Sequence, residues 1–163
     1  MGIVNFFIPK SRPFDYIKGD KMIIQLSIFV RNQPGQLMQV TGLLAENKIQ
    51  LRALTVAETA DYGILRIIVN DPEKAYKILQ EKNVLVGKTE VLAVEMEDKP
   101  GGLHKIAEIL GNAGVNIEYL YAFATVKSAI LVIQVNQEHV KKGLKVLEEK
   151  GIREFKPEEI YNL

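Results

Sequence analysis

A six-residue motif occurs twice in this chain, each time between an apolar run and a helical pattern. The copies are residues 32–37 (Asn-Gln-Pro-Gly-Gln-Leu) and 98–103 (Asp-Lys-Pro-Gly-Gly-Leu), and Pro100 follows Pro34 by 66 residues (100 − 34). Because Pro-Gly favours a tight turn, each copy predicts a strand that enters a turn and then a helix. A motif repeated in the same setting predicts two copies of one folding unit.

The rest of the chain keeps the same offset. Apolar residues of the first half fall on apolar residues of the second half without a gap, in the pairs Leu26/Leu92, Ile28/Val94, Leu43/Ile109, Ile49/Val115, Ile64/Ile130 and Val69/Val135. Alternating apolar residues predict the strands, and apolar residues spaced by three and four predict the helices. Both halves therefore have the order strand, helix, strand, strand, helix, strand.

This order predicts an α+β protein made of two ferredoxin-like βαββαβ repeats, each an antiparallel four-stranded sheet with its helices on one face. We place the repeats at 22–87 and 88–163, after an N-terminal extension over 1–21. A short strand at 84–86 would close the first repeat, and a strand at 152–155 would close the second. Asn70 or Asp71 would cap the second helix, which begins at Pro72.

The strands at 64–68 and 130–133 are apolar on both faces, so the face away from the helices should also be covered, by the sister repeat or by another chain. An aromatic row, Tyr119, Tyr121 and Phe123, lies on one face of a further strand. We interpret this row as core or interface packing, with a ligand platform as the alternative.

Composition excludes several classes of function. The net charge is +1, so no overall field favours nucleic acid or an anionic membrane. There is no cysteine and there are only two histidines, which argues against thiolate chemistry and zinc sites. No apolar run reaches the length of a membrane span. We expect a cytoplasmic protein with no metal, cofactor, nucleic acid or membrane partner.

The doubled motif, together with the sequence Gly114-Val115-Asn116-Ile117-Glu118-Tyr119, resembles the ACT domain. The resemblance covers residues 23 to about 156 and is closest to tandem ACT proteins. It implies a small module that regulates amino-acid metabolism by binding a free amino acid, often at an interface between two ACT domains. It also implies a homodimer.

The resemblance implies which residues bind the ligand. They are the two loops that begin the helices and the residue that opens the second strand of each repeat: Asn32, Gln33, Gly35, Gln36, Leu37, Gln50, Asp98, Lys99, Gly101, Gly102, Leu103 and Asn116. The physical chemistry is suitable, because a helix N-terminus attracts a carboxylate and glycine lets the backbone come close to it. Asp98 would accept a hydrogen bond from the ligand's ammonium group, and Asn116 can both donate and accept.

Two alternatives remain for these residues. Asn32 and Asp98 are also natural N-caps for the helices that follow them. The first repeat departs from the family pattern at Asn32 and Gln50, so the two sites are unequal or only one is occupied.

The function expected from the resemblance is that of a non-catalytic sensor of a small amino acid. One alternative is a regulatory subunit of an amino-acid biosynthetic enzyme, because residues 26–35 also resemble the small subunit of acetolactate synthase. A second alternative is a structural assembly module with vestigial sites. No pair or triad of residues at catalytic spacing is present, so we do not expect an enzyme.

Overall fold

A computed structural model describes residues 22–58, 61–124 and 129–163. The N-terminal extension over 1–21 lies outside the described residues. The strands are β1 (Ile23–Arg31), β2 (Leu51–Glu58), β3 (Tyr62–Val69), β4 (Val86–Met96), β5 (Ile117–Ala124) and β6 (Ala129–Val135). The helices are α1 (Gln36–Glu46), α2 (Pro72–Glu81), α3 (Gly102–Asn112), α4 (Val140–Glu149) and α5 (Pro157–Tyr161), and a 3-10 turn, Gln137–His139, precedes α4.

All six strands join in one antiparallel sheet in the order β2-β3-β1-β4-β6-β5. The prediction of antiparallel α+β repeats is confirmed, but the prediction of two separate four-stranded sheets is wrong. The strand expected at 84–86 and the strand expected before the second motif are one strand, β4, which continues through Gly87 and Lys88. Its first half pairs with β1, for example Val86 with Ile28, and its second half pairs with β6.

The shared strand has a physical reason. β4 is buried on both faces over residues 91–94, because α3 and α4 cover one face and the C-terminal segment covers the other, and such doubly covered strands lie in the middle of a sheet. Where β1 ends its pairing at Val91, the C-terminal segment takes its place beside β4. The Glu95 amide donates to the Arg153 carbonyl and the Phe155 amide donates to the Ala93 carbonyl, both at 2.8 Å. The strand predicted at 152–155 is therefore a single bridge, Val94 to Glu154.

Helices α1 to α4 cover one face of the sheet. Leu26 and Ile28 of β1 pack with α1 and α2, and Leu92 and Val94 of β4 pack with α3 and α4. Asp71 caps α2 by accepting a hydrogen bond from the Lys74 amide at 3.0 Å, as predicted. Within the described part of the chain, no helix is long and apolar enough to cross a membrane.

The opposite face of the sheet is covered by the short helix α5, which sequence patterns did not predict. Alternate residues of a strand point to opposite faces, and the residues between those facing α1 to α4 form a third apolar cluster. Ile23, Ile68 and Val91 pack there against Phe155 and Ile160. The expectation that both faces are covered is therefore met by the chain's own C-terminal segment at this end of the sheet. The prediction of helices on one face holds for α1 to α4 but not for α5.

The sheet curls toward this second face. In a flat sheet, β3 and β5 would lie about 19 Å apart, because four inter-strand steps separate them. The Arg66 guanidinium of β3 nevertheless lies 4.0 Å from the centre of the Tyr119 ring of β5. Only a strongly curved sheet brings these side chains together, so we call the face that carries them the concave face.

Candidate functional site

The two motif loops have the same backbone geometry. In the first loop, the Gln33 amide donates to the Arg31 carbonyl at 2.9 Å, and in the second the Lys99 amide donates to the Glu97 carbonyl at 2.9 Å. The glycine before each helix, Gly35 or Gly101, has φ near +90°. That conformation is costly for other residues, which explains the glycine in both copies.

Neither helix that follows a motif loop has a side-chain cap. Gly35 and Gly101 are the N-cap residues of α1 and α3, and glycine has no side chain that could accept a hydrogen bond from the first turn. The alternative that Asn32 and Asp98 cap these helices is therefore wrong. The first amide of each helix, at Gln36 or Gly102, donates to a carbonyl of its own loop, at 3.4 Å and 3.0 Å. The amides that follow lie at a helix N-terminus, which is the electrostatic setting that favours an anion.

The second loop lies in a cluster of opposite charges. Glu97 forms ion pairs with Lys99 and Lys105, and the hydrogen bond from Lys99, followed by that from Lys105, holds the pKa of Glu97 below its ordinary value. Asp98 is exposed and has no side-chain partner among the described residues. A cavity of about 360 Å³ adjoins this loop, lined by Glu95, Met96, Glu97, Asp98, Lys105, Gly151, Ile152 and Arg153.

The second loop also packs more tightly on its strand than the first. A Cβ built on Gly102 would lie 2.1 Å from the Glu97 carbonyl oxygen, so only glycine fits there. The first loop has Gln36 at the equivalent position. Leu37 and Leu103, which follow, are both substantially exposed.

The first loop borders a larger and more apolar groove of about 1220 Å³. Of the predicted site residues, Gln36 lines it. Most of its lining was not predicted, including Arg31, Met38 and Leu85, and Met38 is 71% exposed. The pairing of β1 with β4 ends at Ile28, and the Phe29 amide still donates to the Leu85 carbonyl at 2.9 Å. Val30 and Arg31, the last residues of β1, extend beyond this pairing. Because β4 was expected to be two strands, this opening could not be predicted from local sequence patterns.

Gln50 and Asn116 do not meet the motif loops within one chain. Gln50 precedes β2, whose far end at Glu58 lies level with the end of β1. Asn116 precedes β5, whose far end at Ala124 pairs at the level where β4 ends. Each of these strands has 8 residues, which is roughly 25 Å of extended chain. The loop and the second-strand residue of each repeat could therefore contact one ligand only if a second chain supplied one of them.

The two loops are also far from each other, because they follow β1 and β4, which are antiparallel neighbours. They lie at opposite ends of the sheet. Among the residues that sequence reasoning did not assign to the site, Lys105 and Arg153 adjoin Asp98. Lys105 lies in the first turn after the motif and could have been found by its spacing. Arg153 reaches the loop only through the pairing of the C-terminal segment with β4, for which the local sequence has no signal.

Comparison with known proteins identifies the family. A family model described as an ACT domain pair matches residues 21–158. No match was found among the curated proteins. Among solved structures, the protein BT0572 from Bacteroides thetaiotaomicron is 42% identical, with a TM-score of 0.81, over 87% of this chain and 97% of that one.

Two regulatory subunits of aspartate kinase have a similar fold. The ligand-free form from Thermus thermophilus is 19% identical with a TM-score of 0.58, over 77% of this chain and 91% of that one. The one from Thermus flavus is 18% identical with a TM-score of 0.58, over 79% and 93%. At these identities the likeness concerns the fold alone. The family match and the repeated βαββαβ halves lead to one conclusion: the chain belongs to the ACT domain pair family.

Proposed function

We propose that this protein is a non-catalytic regulatory sensor that binds a small amino acid beside its second motif loop. The observation that carries the proposal is the cavity at Asp98, where groups of both charges surround a space of about 360 Å³. Ligand pockets for small molecules begin at about 300 Å³, so the volume suits a small ligand. An amino acid carries an ammonium group and a carboxylate on one carbon, and the walls of this cavity carry side chains of both charges that could pair with them.

Each end of the amino acid has a partner. The carboxylate would lie at the first turn of α3. Lys105, which pairs with Glu97, and Arg153, which pairs with Glu95 and Glu159, would contribute positive charge nearby. The ammonium would lie at Asp98, whose carboxylate has no other side-chain partner among the described residues. The other two carboxylates of the cavity already form ion pairs, Glu97 with Lys99 and Lys105 and Glu95 with Arg153, which leaves Asp98 as the available acceptor.

The test is a thermal-shift series over the twenty amino acids. A ligand at about 100 times its Kd adds about 2.7 kcal/mol to the free energy of unfolding. For a chain of this length, that raises Tm by about 5–10 °C. We expect one or a few small amino acids to produce this shift in the wild type and to lose it in Asp98→Ala.

Glu108→Ala is the matched control, since it removes the same charge from an exposed position farther along α3. It should keep the full shift. If no amino acid shifts the wild type, the sensor proposal is wrong and the structural assembly module becomes the better hypothesis. If Asp98→Ala binds as tightly as the wild type, the ligand does not use this cavity.

A second candidate is a regulatory subunit of an amino-acid biosynthetic enzyme such as acetolactate synthase. The apolar groove beside the first loop favours it, because Phe29, Met38 and Leu85 are exposed there and partner proteins bind such patches. This candidate would be supported if the catalytic subunit of such an enzyme is recovered in equal amount with the wild-type protein and is not recovered with Met38→Glu. Its retention with Met38→Glu would place the contact elsewhere.

We also propose a homodimer as the working form. Each repeat holds its motif loop and its second-strand residue roughly 25 Å apart, so a site that uses both needs a second chain. Mixing Asp98→Ala with Asn116→Ala chains tests this, because a dimer of the two variants regains one intact site if the site is shared. Failure of the mixture to bind while the wild type binds would show that one chain holds the whole site.

A further inference from the structure

The groove beside the first motif loop and the cavity beside the second occupy equivalent places in the two repeats. One adjoins the end of β1 and the other the end of β4, and the 66-residue offset (95 − 29) places Glu95 of the cavity on Phe29 of the groove. The Phe29 amide donates to the Leu85 carbonyl at 2.9 Å. In the second repeat, the Glu95 amide donates to the Arg153 carbonyl at 2.8 Å. Differences between the two places therefore reflect their side chains and not a different backbone.

The carboxylates of the cavity have no counterpart in the groove. The three that line the cavity fall on uncharged or basic residues of the first repeat, in the pairs Glu95/Phe29, Glu97/Arg31 and Asp98/Asn32. Of the residues that line the groove, only Glu46 carries a carboxylate. Glu46 is the last residue of α1 and lies about 15 Å along the helix from the motif loop. The loop end of the groove is therefore lined by no carboxylate.

Two cations line the groove at that same end. Arg31 ends β1, and Lys82 directly follows α2. They lie at one end of the sheet, because Val86, which comes soon after Lys82, pairs with Ile28 of β1. Neither cationic side chain has an ion pair or hydrogen bond among the described residues, whereas both cations of the cavity are paired with carboxylates. The groove therefore has positive charge available for an anion.

The remainder of the groove is apolar and open. The ion pair between Glu95 and Arg153 in the second repeat is replaced in the first by Phe29 and Leu85, which are 42% and 49% exposed. The groove has a volume of about 1220 Å³, compared with about 360 Å³ for the cavity. Exposed apolar side chains around a concavity of this size indicate a binding surface. The space suits an apolar chain that is longer than most amino-acid side chains.

We propose that the groove binds an aliphatic monocarboxylate without an amino group, with its carboxylate beside the two cations and its chain against the exposed apolar side chains. A plain carboxylate carries only the charge for which the groove has partners. The ammonium group of an amino acid would lie near Arg31, where the second repeat has Glu97, and would meet repulsion in place of an acceptor. This site is independent of the cavity at Asp98, because the two share no lining residue.

Two methionines report on the two places separately, because Met38 lines the groove and Met96 lines the cavity. Their ¹³C-methyl NMR resonances are assigned by their loss in Met38→Leu and Met96→Leu. The probes are octanoate, 2-aminooctanoate, octanol and octylamine at millimolar concentrations. We expect octanoate to move the Met38 resonance in a saturable way and to leave the Met96 resonance unchanged. The amino acid and the alcohol should each bind about tenfold more weakly, and the amine should not bind.

Arg31→Gln should weaken octanoate binding about tenfold and leave octanol binding unchanged. Lys77→Gln is the matched control, since Lys77 is an exposed cation outside the groove, and it should bind octanoate as the wild type does. The proposal is overturned if octanoate does not move the Met38 resonance. It is also overturned if octanol binds as tightly as octanoate, because the groove would then select only for apolar surface, as a protein-docking site does. A Met38 resonance that moves with protein concentration alone would equally overturn it, since a second copy would then cover the groove.

Discussion

Gly102 and Gly111 lie in the same helix, α3, but alanine at the two positions should change stability in opposite directions. The Cβ of Gly102→Ala would lie 2.1 Å from the Glu97 carbonyl oxygen, whereas contacts below 3.0 Å essentially never occur. The loop must therefore move by about 0.9 Å. The Cβ of Gly111→Ala meets nothing within 4 Å.

The magnitude follows from what the movement disrupts. The Glu97 carbonyl accepts the Lys99 amide at 2.9 Å, and weakening that bond costs about 1 kcal/mol. Overpacking against backbone costs a further 1–3 kcal/mol or so. Alanine also adds about 0.5–1 kcal/mol to the free energy of unfolding, because it lowers the conformational entropy of the unfolded chain. Gly102→Ala should thus lower the free energy of unfolding by about 1–3 kcal/mol, and Gly111→Ala should raise it by about 0.5 kcal/mol.

Urea unfolding followed by circular dichroism measures both values, provided that the m-values of the variants agree. The difference between the variants is more informative than either value, because both make the same chemical change in one helix. Equal stabilities within 0.5 kcal/mol or so would refute the close contact between the loop and the start of α3. They would also remove the reason given for glycine at position 102.

Three further predictions, on four variants, test other parts of the structure by the same urea method. Asp71→Ala removes the cap of α2 and should lower the free energy of unfolding by about 1 kcal/mol. Asp98 is not the N-cap of α3, so Asp98→Ala should change the free energy of unfolding by less than about 0.5 kcal/mol. Equal losses in the two variants would contradict the caps described. Burial raises the pKa of Glu90, so its ionisation opposes folding, and Glu90→Gln should stabilise the protein at pH 7. The gain should fade as pH falls through the raised pKa and be absent below the ordinary carboxyl pKa, and a gain that is independent of pH would contradict this. Ile160→Ala should lower the free energy of unfolding by about 2–4 kcal/mol, because Ile160 is fully buried against the concave face. A loss below about 1 kcal/mol would mean that α5 does not cover the concave face.

Repetition explains why so much of the fold could be predicted. A shift of 66 residues places each strand and helix of one half on its counterpart, so two weak local signals support each other at every position. The cap at Asp71 and the turns at Gly35 and Gly101 follow from short-range chemistry and occur as expected or in a closely related form.

The features that could not be predicted depend on partners far apart in the chain. Gly87 and Lys88 looked like a break because glycine and lysine are poor strand residues. Pairing with β1 on one side of this stretch keeps the strand continuous nevertheless. Likewise, Arg66 has an ordinary place in a strand, and only the curl of the sheet brings it to Tyr119. Tertiary pairing overrides local preference in both cases.

The shared strand also bears on how a signal could be transmitted. Since β4 belongs to both repeats, the two motif loops are joined by one continuous element and cannot move as independent domains. A ligand that binds at one loop therefore has little hinge motion between the repeats through which to act. If an amino acid is held between the Asp98 loop of one chain and the Asn116 end of another, its binding energy stabilises the assembly of chains. Ligand affinity and self-association would then be linked, and each would rise with the concentration of the other component.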